Sequence, residues 1–183
     1  AEGNLSQANG ANSHAEGNGT TASGFASHAE GNGTQATNTA SHAEGNLSQA
    51  NGVNSHAEGN LSRANGTSSH AEGVSTIAST SADHAEGSNT TASGGASHSQ
   101  NSNTLASGAH SHSGGRGFSD TNRIVASGDT SFAHFEQTTA TGYIGAYGNY
   151  SAILGGNDHQ INSDSTSAII IGGQNNFINT NGI

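Results

Sequence analysis

The sequence predicts an all-β solenoid of fourteen-residue coils, and three observations carry that prediction. Histidines recur at His14, His28, His42, His56, His70, His84, His98 and His112, fourteen residues apart without a slip. Alanines keep the same beat at Ala8, Ala22, Ala36, Ala50, Ala64, Ala78, Ala92 and Ala106. Within each repeat small residues alternate with larger ones, Ser13, Ala15 and Gly17 against His14 and Glu16, and a period of two is the strand signature. Self-similarity at a fixed period marks architectures in which each coil buries its face only against its neighbours.

Each repeat holds two half-units of the type small-x-Ala-x-Gly, spaced by seven. The first reads Ser-His-Ala-Glu-Gly, and in the second Thr20, Ala22 and Gly24 alternate with Thr21 and Ser23. Both are expected as five-residue strands joined by turns of Asn, Gly, Ser and Thr. A glycine every seven residues, at roughly 1 kcal/mol each, argues against helix. Ser or Thr, Ala and Gly stay small in every coil, while the alternate positions range over His, Glu, Gln, Arg, Ile and Asn. The small set is therefore expected to point into a narrow bore and the large set outward. The hydroxyls at Ser6, Thr20, Thr34, Ser48, Ser62, Thr76, Thr90 and Thr104 then need partners, expected in neighbouring coils.

Three stretches follow from the beat. Residues 1–112 form the regular β-roll, although the pattern decays from Ser97 onward, where Ser99, Gln100 and Asn101 replace Ala, Glu and Gly. Residues 113–125 are polar and glycine-rich, hold Arg116, Phe118 and Arg123, and read as a transition loop over the end of the roll. Over 126–183 the beat is expected to resume out of phase, with Ala126-Ser127-Gly128 matched to Ala140-Thr141-Gly142. Residues 151–157 and 167–173, each followed by a lone apolar residue (Ile161 and Ile178), read as larger, irregular β coils with an aliphatic core.

Composition excludes several classes. Only 29% of the 183 residues are hydrophobic and 4% aromatic, against roughly 45–50% apolar in ordinary domains, so a conventional packed core is ruled out for most of the length. There is no cysteine, hence no disulfide framework and no thiolate metal site. The net charge is −10, and Arg63, Arg116 and Arg123 are the whole cationic complement, which excludes nucleic acid as a partner. No run approaches the roughly 18 apolar residues of a membrane span, so no membrane insertion is expected of this stretch. With no Met, the sequence is expected to be a piece or a processed product of a longer chain.

The half-units resemble the head repeats of trimeric autotransporter adhesins, the YadA-like heads, over about residues 1–112. That resemblance implies a left-handed parallel β-roll of fourteen-residue coils and a homotrimer with three rolls side by side. Family heads typically carry apolar residues where this chain has His and Glu, as in Ser-Val-Ala-Ile-Gly. The larger coils near the end resemble repeats of other solenoid and fibre proteins, phage tail proteins among them. Association is also expected on energetic grounds, because two buried alanine methyls per coil return little against the entropy of ordering it.

The outward rows are the candidate site. His14, His28, His42, His56, His70, His84 and His98 form one ladder, and Glu16, Glu30, Glu44, Glu58, Glu72 and Glu86 lie beside it as a second. They read as a polar seam between chains or a solvated stripe, with metal at a trimer axis as a further option. His110 and His112, two apart on one strand face, are a narrower metal candidate, since three chains would bring six imidazoles together. No cofactor is expected otherwise. A uniform array is not the unique constellation an enzyme needs, so none is expected.

Function is expected to be structural: an attachment module in an extracellular trimeric fibre, a bacterial surface adhesin head binding a host-surface protein or glycan. The alternative setting is a phage tail fibre or spike, placing the chain on a virion tail. An ice- or surface-binding solenoid is the remoter reading, because Gln7, Thr21, Gln35, Gln49, Arg63, Ile77, Thr91 and Leu105 are too mixed for a threonine grid.

Overall fold

The computed structural model describes residues 1–139 and 144–179. Among these the fold is all-β and forms a parallel β-solenoid, with two strands per coil in two separate parallel sheets. The chain divides into two compact units, Ala1–Glu86 and Gly87–Ile183.

In the first unit the strands pair in register with their equivalents fourteen residues on. His14, Ala15, Glu16, Gly17 and Asn18 face His28, Ala29, Glu30, Gly31 and Asn32, and the same register repeats through His42–Asn46, His56–Asn60 and His70–Val74. The second sheet is built from shorter pieces, Thr21–Ala22, Gln35–Ala36, Gln49–Ala50, Arg63–Ala64 and Ile77–Ala78. The sequence predicts five-residue strands in both half-units, and the second half-unit yields only two.

Two left-handed residues per coil do the turning. One follows the long strand (Leu5, Leu47, Leu61 and Ser75, φ 56–62, with Gly19 and Gly33 in the same place). The other precedes the next long strand (Asn12, Ala26, Ala40, Asn54, Ser68 and Ala82). The physical reason lies in where each amide points. The amide that opens each long strand bonds forward, as His14 N to Ser27 O at 2.9 Å, whereas the amides of the left-handed residues bond backward, as Gly33 N to Asn18 O and Ala40 N to Phe25 O, both at 2.8 Å. The left-handed conformation, costly for an ordinary residue, reverses the amide so that both edges of each coil are satisfied.

The bore is alanine-lined. Ala15, Ala22, Ala29, Ala36, Ala43 and Ala50 are wholly buried, and so are their equivalents up to Ala78 and Ala85. The inward parity is thus as the sequence predicts for Ala, Ser and Thr. Glycine is the exception. Gly17 is half-buried with φ +119, and a Cβ there would stand 2.0 Å from the carbonyl oxygen of Gly31. That column is small because successive coils touch there, not because the bore is narrow.

In the first unit the hydroxyls differ by residue type. Ser6, Ser48 and Ser62 donate to the carbonyls of Gly17, Gly59 and Gly73 at 2.9–3.1 Å, as expected. Thr20, Thr34 and Thr76 occupy the same place, yet their buried hydroxyls have no hydrogen-bond partner. A buried unsatisfied hydroxyl costs free energy that an isosteric methyl does not. Thr34→Val is therefore expected to stabilise the fold by about 1 kcal/mol, read as a rise in the urea midpoint; a fall in the midpoint would contradict the assignment.

In the second unit the coils lengthen. His98 pairs with His112, fourteen on, but His112 pairs with Phe132 and Phe132 with Ala152, twenty on in each case, and Ala152 pairs with Ile169, seventeen on. Within 113–125 strand takes both ends and a seven-residue link takes the middle. His112–Arg116 and Ile124–Ala126 are both paired, and 117–123 links them through a small bridge between Ser119 and Asn122. Ala126 faces Ala146; the expected match at Ala140-Thr141-Gly142 lies outside the described residues. As the coils grow, the bore fills with aliphatic groups: Ile124, Ile144, Ile153, Ile161 and Ile170 pack with Phe135 into one cluster. The expected larger apolar coils are present.

Candidate functional site

The long strands of the first unit present His and Glu on their outward face, because both alternate with the buried alanine between them. In-register pairing then stacks like on like. The imidazoles of His14, His28, His42, His56, His70 and His84 form a column with ring centroids 4.7–4.9 Å apart, and from His28 onward successive rings lie within 6° of parallel. Glu30, Glu44, Glu58 and Glu72 place a carboxylate oxygen 3.6–4.0 Å from Nε2 of the histidine two residues before. Glu16 and Glu86 hold the same strand position in their coils.

Half-burial acts on the charge of two of these rings. Burial lowers the pKa of His28 and of His42 below the ordinary imidazole value, and the adjoining rings of the stack push the same way. Glu30 and Glu44 pull upward without overcoming it. Those two rungs are thus neutral at pH 7. The Nε2 atoms of His28, His42, His56 and His70 are screened from solvent and make no hydrogen bond, the glutamate oxygens standing beyond hydrogen-bond reach.

A third row, read from sequence only as turn residues, completes this face. Asn4, Asn18, Asn32, Asn46 and Asn60 pass one side-chain amide hydrogen bond from coil to coil, each Nδ2 donating to the next Oδ1 at 2.8–3.2 Å. The signal was the recurrence of Asn two residues after Glu, at the end of the strand.

The second unit breaks the flat stack. His98 and His112 meet edge-on at 78°, Gln100 Nε2 lies 3.2 Å from His112 Nε2, and the His112 ring stacks on Phe132 at 4.7 Å. His110 does not share a strand face with His112. It occupies the left-handed turn site (φ 56), exposed, with its amide bonded back to Gly95 O. The two do not converge on a common point, because the chain has not yet entered the strand at His110. Among the described residues, the groups of three or more His and carboxylate ligands that approach closely include neither of them.

Two features of this unit carry no periodic signal. Arg116 and Glu136, aligned on successive coils, form an ion pair beside His134 and Leu154 in a shallow surface groove. His159 is wholly buried, its Nδ1 accepting the Asn176 amide at 3.2 Å and its ring tilted against Phe135. Burial pushes its pKa down, while backbone groups of Gly173 and Gly155 pull the other way.

The arrangement offers recognition chemistry: a polar, repeating face of imidazoles and carboxylates in the first unit, and an increasingly apolar one in the second. At the positions aligned with the His row stand Phe132, Ala152 and Ile169. Leu154 and Ile171, two residues after Ala152 and Ile169, are exposed, as is Ile169. No protein-family model matches this chain, and no curated protein matches it either.

Proposed function

We propose that this chain is a structural and attachment module of an extracellular homotrimeric fibre, the setting being a bacterial surface adhesin head. The observation that carries the reading lies in the second unit, which exposes Leu154 at 53%, Ile169 at 59% and Ile171 at 77%. A row of exposed aliphatics on a sheet is an association surface, and identical parallel chains offer the same row in the same register. A bore of alanine and serine that buries little apolar area makes such association the natural source of further stability. A phage tail fibre or spike is the second setting, favoured by the lengthened aliphatic coils of the second unit.

Light scattering on the purified chain tests the assembly. Three chains per particle are expected, and paired Ile169→Asp and Ile171→Asp substitutions are expected to release single chains that keep the β spectrum. A wild-type chain that stays monomeric at micromolar concentration overturns the trimer. Beads coated with the chain are expected to hold to host-surface protein or glycan, and beads indifferent to both overturn attachment.

A further inference from the structure

The histidine column of the first unit contains three overlapping groups of metal-ligating atoms. His42, Glu44 and His56 bring one ligand atom each within 4.8 Å of one another, as do His56, Glu58 and His70, and His70, Glu72 and His84. A second observation is independent of that spacing. The Nε2 atoms of His42, His56 and His70 are shielded from solvent and lack any hydrogen-bond partner, with the carboxylates 3.6–3.7 Å away. An imidazole nitrogen that neither water nor a protein donor satisfies, facing a carboxylate, has its coordinating position open.

We propose that this face binds divalent ions of the zinc class in His–Glu–His sites, each spanning two successive coils. Two imidazole nitrogens and one carboxylate oxygen are a donor set that zinc accepts with water as fourth ligand, at bonds of about 2.0–2.2 Å. Calcium and magnesium favour all-oxygen shells and are not served by it. Closing a 4.8 Å group around such an ion requires the rings to tilt out of their flat stack, because a ring lone pair lies in the ring plane. The half-exposed outward face leaves room for that tilt.

The overlap fixes how many ions enter. Each Nε2 has one lone pair and serves one ion, yet His56 belongs to the first and second groups and His70 to the second and third. Filling the middle group blocks both others, whereas filling the first and third uses all four histidines. The ions then sit two coils apart, about 9.6 Å at 4.8 Å per strand, which also eases their mutual repulsion. Saturation is two ions per chain, on alternate pairs of coils.

Calorimetry and native mass spectrometry on the tag-free chain, stripped with chelator and titrated with zinc chloride, test this. Two ions per chain are expected for the wild type. Glu58→Gln, which touches only the middle group, is expected to leave two. His56→Ala is expected to leave one, and His56→Ala with His84→Ala none, each with an unchanged β spectrum. The proposal is overturned by no uptake at 100-fold molar excess, by a saturation of one or three ions, or by uptake that the double substitution does not reduce. If a histidine variant unfolds, the wild-type count and the Glu58→Gln variant still decide the matter.

Discussion

Gly31→Ala is expected to destabilise the first unit by about 3 kcal/mol or more, the range of a severe backbone clash added to left-handed strain. Gly31 sits at φ +115, and a Cβ built there stands 2.1 Å from the carbonyl oxygen of Gly45 and 3.0 Å from its carbon and nitrogen. The obstacle is backbone, so no side-chain rotation relieves it, and separating the coils would break the ladder on both sides. Gly19→Ala supplies the control. Gly19 also has positive φ, +67, but nothing lies within 4 Å of its Cβ position, and leucine is accepted in that place at Leu47 and Leu61. Its cost is expected near 1 kcal/mol, that of the left-handed conformation alone. Urea midpoints at constant slope would separate the two, and equal losses would show that coil-to-coil contact is not what keeps Gly31 small.

Ala43→Ile carries the second large effect. Ala43 is fully buried where the coils have fourteen residues, whereas in the longer coils of the second unit Ile153 and Ile170 are the buried inward residues. Three added carbons in the narrow bore are expected to cost about 3 kcal/mol through overpacking. The reverse change, Ile153→Ala, removes the same volume from the aliphatic cluster and is expected to cost roughly 2–5 kcal/mol through the cavity it leaves. Opposite substitutions at these two inward positions should thus both destabilise. A neutral Ala43→Ile, judged by thermal midpoint and by an unchanged β spectrum, would mean the bore has room to spare.

Much of this fold is legible in the sequence because in-register pairing copies the period directly into space. The fourteen-residue spacing of His, Glu and Ala becomes the ladder, and the alternation around Ala15 and Ala29 places them inside. Where smallness had two causes, the pattern could not separate them: Ala43 is small because of the bore, Gly31 because of its neighbour's carbonyl. The lengthened coils were hidden for a related reason. Residues 117–123 interrupt the beat, so Ala126 was matched by spacing to a residue fourteen on, while register matches it to Ala146. His110 misled because a residue spacing says nothing of where a turn ends. His159 and the silent hydroxyls of Thr20 and Thr34 were not readable, since burial and satisfaction depend on packing around single residues.

The in-register bonding of equivalent residues on successive coils has a consequence for how such a chain can change size. Each repeat offers the same set of donors and acceptors above and below, so excising or duplicating one whole repeat in the first unit rejoins matching edges, as removing one brick from a uniform course leaves the mortar lines aligned. Fourteen residues is therefore the natural quantum of length, and the molecule behaves as a ruler whose graduations a gene can add or erase one at a time.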